Sequence, residues 1–189
     1  AAGYVGPLTR AKIASVCGGS TSTTPTPTGP GLTVSAAAQP ANALAPQGAS
    51  RIPFTTFTIT NNTGAAVVVN NVTVQRTGFG VDANFSGIVL LDQNGLQIGT
   101  AKTLNSNHQA NVGDAWTLAA GQSMTLTVAG NIATGQTTSG QIVSLQVVAI
   151  NTSAPVSGSL PINGASHTIN TTLTLGSVST TTSSFDPGV

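Results

Sequence analysis

Apolar and polar residues alternate along two neighbouring runs of this chain. Phe57 and Ile59 alternate with threonines in the first run, and Val72 and Val74 alternate with polar residues in the second. A period of two places successive side chains on opposite faces, which predicts half-buried β-strands. The joint at residues 61–64, Asn-Asn-Thr-Gly, contains turn-forming residues that tolerate positive φ angles. We therefore predict a hairpin whose apolar face is covered by a second sheet.

Further strand signals follow at short intervals up to residue 170. Residues 88–91 form a continuous apolar run, typical of a strand covered on both faces, and Asp-Gln-Asn-Gly at 92–95 predicts a type I′ turn. Residues 141–150 are the most apolar run and predict a central strand. Shorter runs bring the count to about eight to ten strands, at residues 32–36, 96–100, 116–118, 124–128 and, more weakly, 160–170. This pattern predicts an all-β fold, an immunoglobulin-like antiparallel β-sandwich over residues 32–170.

Segments of different composition flank the predicted sandwich. Residues 1–17 carry a short helical signal, with Pro7 at the helix start. Residues 18–31 form a Ser/Thr/Pro/Gly-rich linker, which favours an extended arm. Residues 171–189 are predicted to form a C-terminal strand and tail. The chain opens on Ala-Ala-Gly, and we interpret it as a processed or trimmed form.

The C-terminal segment repeats the pattern with which the predicted sandwich begins. Leu-Thr-Leu-Gly-Ser at 173–177 is similar to Leu-Thr-Val-Ser-Ala at 32–36. One interpretation is a donor strand that adds to the sheet edge of the next subunit, a heterologous contact that builds filaments. The other interpretation is the last strand of the chain's own sandwich. The apolar residues assigned to this assembly strand are Leu32, Val34, Ile169, Leu173, Leu175 and Val178.

Charged residues are rare in this chain. They make up 5% of it, against about 25% in typical soluble domains, and the formal net charge is +1. Five dispersed basic residues cannot neutralise a run of phosphates, so we expect no nucleic-acid partner. The apolar runs are also too short to span a bilayer. A surface of Thr, Ser, Asn and Gln is typical of secreted proteins and favours association with copies of the same chain.

Catalytic chemistry has little support in the sequence. The four acidic residues are scattered aspartates, so a carboxylate pair of the kind glycosidases use is not indicated. His108 is predicted to lie in a loop, and His167 on a strand facing solvent or a neighbouring subunit. Cys17 is the single cysteine, and neither histidine lies in a nucleophile motif. We therefore predict a non-enzymatic protein without a metal or cofactor.

Five Asn-x-Ser/Thr sequons are present. A chain this rich in Asn and Thr produces such sequons by chance, so they are candidate glycosylation acceptors only where the source has the machinery. They begin at Asn61, Asn71, Asn84, Asn151 and Asn170.

Two resemblances to known families fit this organisation. Residues 3–13 resemble the last helix of a type 1 peptidoglycan-binding domain, through Gly3, Tyr4, Gly6, Pro7, Thr9, Arg10 and Ala11. Residues 72–74, 87–92, 95–100 and 118–132 resemble an immunoglobulin-like domain of large secreted bacterial surface proteins of the candidate phyla. In those proteins the domain follows a similar helical segment and a Ser/Thr/Pro linker. The resemblance implies a position outside the cell, on its surface.

These observations lead to two functional hypotheses. The first is an extracellular structural subunit that assembles head to tail into a surface filament or pilus-like fibre, with strand addition between subunits as one route. The alternative is an adhesive or carbohydrate-binding module of a cell-wall-associated surface protein, with the cell wall or glycans as its partner. An aromatic binding strip would favour the alternative, but aromatic residues make up 4% of the chain.

Overall fold

A computed structural model describes residues 31–176 and 178 of the protein. Twelve strands form two sheets packed face to face, and a short 3₁₀ turn, Asp82–Asn84, precedes the fifth strand. In chain order, β1 to β12 are Leu32–Ala36, Ala43–Pro46, Ile52–Asn61, Val67–Thr77, Phe85–Leu91, Gln97–Lys102, Gln109–Val112, Trp116–Leu118, Ser123–Ile132, Ile142–Thr152, Val156–Gly158 and Ile162–Asn170. The first sheet has the order β11-β1-β3-β9-β5-β6. The second has the order β2-β12-β10-β4-β7, with β8 also paired to β4.

The predicted all-β sandwich is confirmed. Most strand pairs are antiparallel, but β1 pairs with β11 and β12 pairs with β2 in parallel, so both sheets are mixed. β11 and β2 are edge strands of three and four residues. The sequence analysis missed β11 and β7, which are too short to show a convincing alternation.

The predicted hairpin between the run with Phe57 and Ile59 and the run with Val72 and Val74 is wrong. β3 pairs with β1 and β9 in the first sheet, whereas β4 pairs with β10, β7 and β8 in the second. The apolar sides of both strands do face the core, but they approach it from opposite sheets. Alternation of apolar and polar residues specifies which side of a strand is buried, but it does not specify which other strand pairs with it.

The core lies between the two sheets. Phe57 and Ile59 of β3 and Val72 and Val74 of β4 are fully buried there. β10 is central in its sheet, as predicted. Its register shifts after Val147, so Ile150 is buried in the core and Ala149 is only half-buried.

Residues 88–91 are buried on both sides of the first sheet, which agrees with the prediction for a continuous apolar run. Ile88 and Leu90 point into the core, while Val89 and Leu91 pack with Ala129 in a second cluster.

The turn after β5 is a hairpin, but it is not type I′. Gly95 has φ 76°, whereas Asn94 does not share its positive φ. A side-chain oxygen of Asp92 accepts from the amides of Asn94 and Leu96, and Gly95 N–H donates to the Asp92 carbonyl. The aspartate side chain thus stabilises a wider turn.

The first strand of the sandwich begins at one end of the molecule, and the last strand ends at the opposite end. Leu32, at the start of β1, pairs with Asn61 at the end of β3. Asn170, at the end of β12, accepts from Gln47 N–H, next to the segment that leads into β3. β3 is ten residues long, so these ends lie about 30 Å apart. We call the end with Leu32 the N-terminal pole and the end with Asn170 the C-terminal pole.

Candidate functional site

A charged network supports the loop between β4 and β5 at the C-terminal pole. Arg76 Nε donates to Asp82 Oδ1, and its Nη1 donates to the Gly80 carbonyl at 2.6 Å. His108 Nδ1 lies 2.8 Å from Asp82 Oδ2 and 3.2 Å from Arg76 Nη2. Both ion pairs found within residues 31–176 and 178 meet at Asp82. The predicted loop position of His108 is correct, but the network itself was not predicted.

The same contacts set the ionisation of Asp82. Partial burial acts to raise the pKa of this carboxyl, but hydrogen bonds from Arg76 and His108 outweigh burial and hold the pKa below its usual value. Because the folded-state pKa lies below the unfolded value of about 3.9, the carboxylate's contribution to stability is complete above that value. It is lost as the pH falls through the folded-state pKa.

We expect Asp82→Asn to lower the free energy of unfolding at pH 7 by about 1 to 2 kcal/mol, because Arg76 then loses its charged partner. The Arg76 side chain is only 9% exposed. The difference from wild type should shrink below about pH 4, and urea unfolding at pH 7 and pH 3 measures it. Asp114→Asn, in an exposed loop, is the matched control and should change stability by less than about 0.5 kcal/mol. A difference between wild type and Asp82→Asn that stays constant with pH would contradict the expectation.

The network holds a loop that exposes an aromatic ring. Phe79 is 91% exposed and lies between Gly78 and Gly80. Gly80 N–H donates to the Ile142 carbonyl at 2.8 Å, and a Cβ on Gly78 would lie 2.5 Å from that same oxygen. The glycines therefore let the loop backbone pack directly on the start of β10. The sequence analysis did not single out Phe79, although the Gly-Phe-Gly triplet marks it.

Asn84 ties this loop to the segment before β10. Its Oδ1 accepts from Val81 N–H, and its Nδ2 donates to side-chain oxygens of Gln136 and Gln141, all at 2.7 Å. The residue is 1% exposed. The folded protein therefore does not present Asn84 as a glycosylation acceptor, which corrects the prediction from its sequon.

Asn61 has a comparable role at the N-terminal pole. Its Nδ2 donates to the carbonyls of Ala65, Leu118 and Ala119, and its Oδ1 accepts from Thr63. The side chain is fully buried, so this sequon is also structural and its prediction as an acceptor is corrected. The same hydrogen bonds direct the chain out of β3 and across to the second sheet.

The other three sequons are half-buried. Asn151 Nδ2 donates to Asn71 Oδ1 at 2.6 Å on the outer face of the second sheet. Asn170 Oδ1 accepts from the amides of Thr172 and Leu173. Among the described residues no hydrogen bond engages the Nδ2 atoms of Asn71 and Asn170, so these two remain candidate acceptors.

The residues assigned to the assembly strand divide into two groups. Leu32, Val34 and Ile169 are buried in the chain's own core. Leu173, Leu175 and Val178 are 43%, 52% and 94% exposed and belong to the segment that follows Asn170 at the C-terminal pole. Residues 171–176 contain no strand, because the turn at Asn170 ends β12. The predicted helical remnant, most of the linker and the last residues of the tail lie outside the described residues.

A recess lies at the side of the sandwich where the edges of β1 and β12 leave a gap. Its volume is about 210 Å³. The lining combines aliphatic and small polar side chains, from Val34, Ser35, Ala36, Ser159, Pro161, Ile162 and Asn163. Ala36 and Pro161 are exposed at the recess, whereas Val34 and Ile162 are buried beneath them.

Two other pockets are lined mainly by polar side chains. A pocket of about 520 Å³ beside β7 includes Asn70, Asn71, Lys102, Asn105, Gln109, Asn111 and Asp114. A pocket of about 340 Å³ at the C-terminal pole includes Asn84, Thr134, Gln136 and Gln141. Amide and hydroxyl groups of this kind suit a polar, uncharged ligand better than an apolar one.

His167 lies on a strand, as predicted, but it faces the core, so the expected exposure to solvent or a neighbour is wrong. The residue is 2% exposed. Its Nδ1 accepts from Ala43 N–H at 3.1 Å, its Nε2 donates to the Pro53 carbonyl at 2.9 Å, and its ring meets Phe54 edge-on at 4.5 Å. His167 therefore joins the two sheets, and backbone groups engage both of its ring nitrogens.

Within the part of the chain that the structure describes, no three His, Cys, Asp or Glu side chains form a group able to hold a metal ion. The same part contains no helix long and apolar enough to cross a membrane. No protein-family model and no curated protein sequence matches this chain.

Proposed function

We propose that this protein is a non-enzymatic extracellular structural subunit that assembles head to tail with copies of itself into a surface filament. The observation that carries the proposal is the position of the exposed C-terminal segment. The sandwich begins at one pole, and a segment with exposed Leu173, Leu175 and Val178 leaves the opposite pole. A contact between this segment and a different surface of the next copy is heterologous, and such contacts extend without closing.

The outer faces of the sandwich support association between copies. Hydroxyl pairs Thr56–Thr127, Thr58–Thr125 and Thr60–Ser123 lie across β3 and β9. Amide and hydroxyl side chains of Asn71, Thr73, Asn111 and Asn151 form a similar hydrogen-bonded group on the second sheet. Surfaces of this kind carry little charge, so copies do not repel one another. The same polar, uncharged composition supports the extracellular location.

Strand addition is one route for the contact. The exposed segment after Asn170 contains alternating leucines. If it adds to a sheet edge of the next copy as a strand, its backbone N–H and C=O groups find hydrogen-bond partners that they lack when the segment is unpaired. Among the sheet edges, β2 has an exposed Leu44, but Pro46 removes one amide donor from it. The wild-type chain and a variant lacking residues 171–189 test this route.

We expect the wild-type chain to form ordered filaments in negative-stain electron microscopy and to sediment as polymers. Deleting residues 171–189 should abolish the filaments, because the exposed leucines are then lost, while the remaining domain stays folded. Circular dichroism and a cooperative urea transition report whether the deleted variant is folded. A wild-type chain that sediments as a compact monomer at all concentrations would overturn the proposal.

A second candidate function is glycan binding by an adhesive module. The specific observation in its favour is the pocket of about 520 Å³ lined by asparagine, glutamine and a lysine beside β7. Hydrogen-bonding side chains suit sugar hydroxyls, but the residues that line the pocket include no aromatic ring on which a sugar would stack. A monomeric wild-type chain that binds oligosaccharides would favour this function.

A further inference from the structure

The chain contains the dipeptide Asn-Gly twice, at Asn94–Gly95 and at Asn163–Gly164. In such a pair the backbone nitrogen of glycine can attack the side-chain amide carbon of the asparagine, because glycine places no side chain in the way. Both asparagines are exposed. Within residues 31–176 and 178 no hydrogen bond engages the side-chain amide of either one. Local sequence and exposure are therefore alike at the two places, and the surroundings of the glycine backbone distinguish them.

The backbone at Gly95 is free to move. Gly95 lies in the turn after β5, and a Cβ built there would meet no atom within 4 Å. Its N–H donates to the Asp92 carbonyl at 3.0 Å across this exposed turn. A single exposed turn bond opens by local motion, and neither β5 nor β6 has to leave its sheet. The Gly95 nitrogen can therefore approach the Asn94 side chain while the protein stays folded.

The backbone at Gly164 is fixed between the two sheets. Asn163 pairs with Gln146 of β10, and a Cβ on Gly164 would collide with the Phe54 carbonyl of β3. The peptide between Asn163 and Gly164 must rotate before the glycine nitrogen can reach the side chain. That rotation detaches β12 from β10 and pushes Gly164 against the other sheet. The reaction therefore requires a large opening of the sandwich, which few molecules undergo at any moment.

We propose that Asn94 is a site of spontaneous deamidation in the folded protein and that the fold protects Asn163 from the same reaction. The Gly95 nitrogen attacks the Asn94 side-chain carbon and loses its proton. The side-chain nitrogen takes up a proton and leaves as ammonia, which produces a five-membered succinimide ring. Water then opens the ring at either carbonyl and yields aspartate or isoaspartate. Water is the only co-reactant, and the inference does not depend on the proposed self-assembly.

The modification changes both the charge and the backbone of the turn. A side-chain oxygen of Asp92 accepts from the amides of Asn94 and Leu96. Deamidation places a second carboxylate two residues from Asp92 and lowers the formal net charge of the chain from +1 to zero. In isoaspartate the backbone runs through the side-chain carbon, so the turn gains one backbone atom. The product therefore alters the connection between β5 and β6, the edge strand of the first sheet.

Incubation of the folded wild-type chain in mildly alkaline buffer, followed by trypsin digestion and mass spectrometry, tests the proposal. Cleavage after Arg76 and Lys102 places Asn94 in the fragment 77–102 and Asn163 in the fragment 103–189. Fragmentation of each peptide assigns a gain of one dalton to a particular asparagine. The gain at Asn94 should appear at least about 30-fold faster than the gain at Asn163, because Asn163 reacts only in opened molecules. In urea above the unfolding transition the two rates should become similar, since the fold then protects neither site.

Two glutamine variants serve as a matched pair. Asn94→Gln retains an exposed amide, but its ring closure would give a six-membered ring that forms far more slowly, so the gain at position 94 should disappear. Asn163→Gln makes the same change at the protected site and should leave the rate at Asn94 unaltered. Equal rates at Asn94 and Asn163 in the folded chain, or an Asn94 that reacts only above the urea transition, would overturn the proposal. Neither result bears on whether the chain forms filaments.

Discussion

A Gly164→Ala variant is expected to lose about 3 kcal/mol of unfolding free energy, a large part of the roughly 5 to 15 kcal/mol that a typical domain has. Gly164 lies in β12 where that strand crosses close to β3 and β10. A Cβ at this position would collide with Thr55 Oγ1 and the Phe54 carbonyl and would lie 2.7 Å from the Leu145 carbonyl. Two of these three atoms are backbone oxygens, which cannot rotate away, so one sheet must shift against the other.

Gly64→Ala is the matched control for this substitution. Gly64 lies in the crossing between β3 and β4, and a Cβ there would meet no atom within 4 Å. The control should be neutral or more stable by up to about 1 kcal/mol, because alanine restricts the unfolded chain. Urea unfolding followed by circular dichroism gives both values. Equal midpoints for the two variants would show that the sheets can separate at Gly164 without cost.

An Asn61→Ala variant is expected to lose about 3 kcal/mol. The amide of Asn61 donates to three backbone carbonyls, and its oxygen accepts from the amide and the hydroxyl of Thr63. Alanine leaves these groups without a partner at a buried position, and each unsatisfied group costs about 1 to 3 kcal/mol unless water reaches it. The loss should appear as a lower urea midpoint with an unchanged slope.

Asn62→Ala is the neighbouring control, because Asn62 is exposed and its one side-chain hydrogen bond goes to the Thr33 hydroxyl. We expect this variant to change stability by less than about 0.5 kcal/mol. A large effect at Asn62 with little at Asn61 would contradict the assignment of Asn61 as the side chain that fixes this crossing.

The residue pattern predicts that the fold is a sandwich of two sheets, but it does not predict which strands pair with each other. Alternation at Phe57 and Ile59 correctly predicts which side of β3 is buried. It cannot predict that β3 and β4 join opposite sheets, because a strand of either sheet shows the same alternation of apolar and polar residues when one of its faces is buried in the core. In the folded protein Asn61 holds the crossing between them, through hydrogen bonds to Leu118 and Ala119, more than fifty positions later, and to Thr63 nearby.

Sequence motifs were less informative about individual side chains. A sequon describes three consecutive residues, whereas the burial of Asn84 depends on Gln136 and Gln141, more than fifty positions away. His108 and Asp82 are 26 residues apart, so their contact is invisible in a local pattern. The exposure of Phe79 is likewise a property of the folded loop. Only its flanking glycines, which suggest close backbone packing, mark it in the sequence.

The positions of the two poles have a mechanical consequence. Tension applied through the residues before Leu32 and after Asn170 would load β1 and β12 along their own axes. β1 is held by β3 and β11, and β12 by β10 and β2. Interstrand hydrogen bonds run across the strands, so a pull along the axis shears the whole set of bonds at once instead of opening them one after another. The sandwich is therefore oriented to resist stretching along the line that joins its ends.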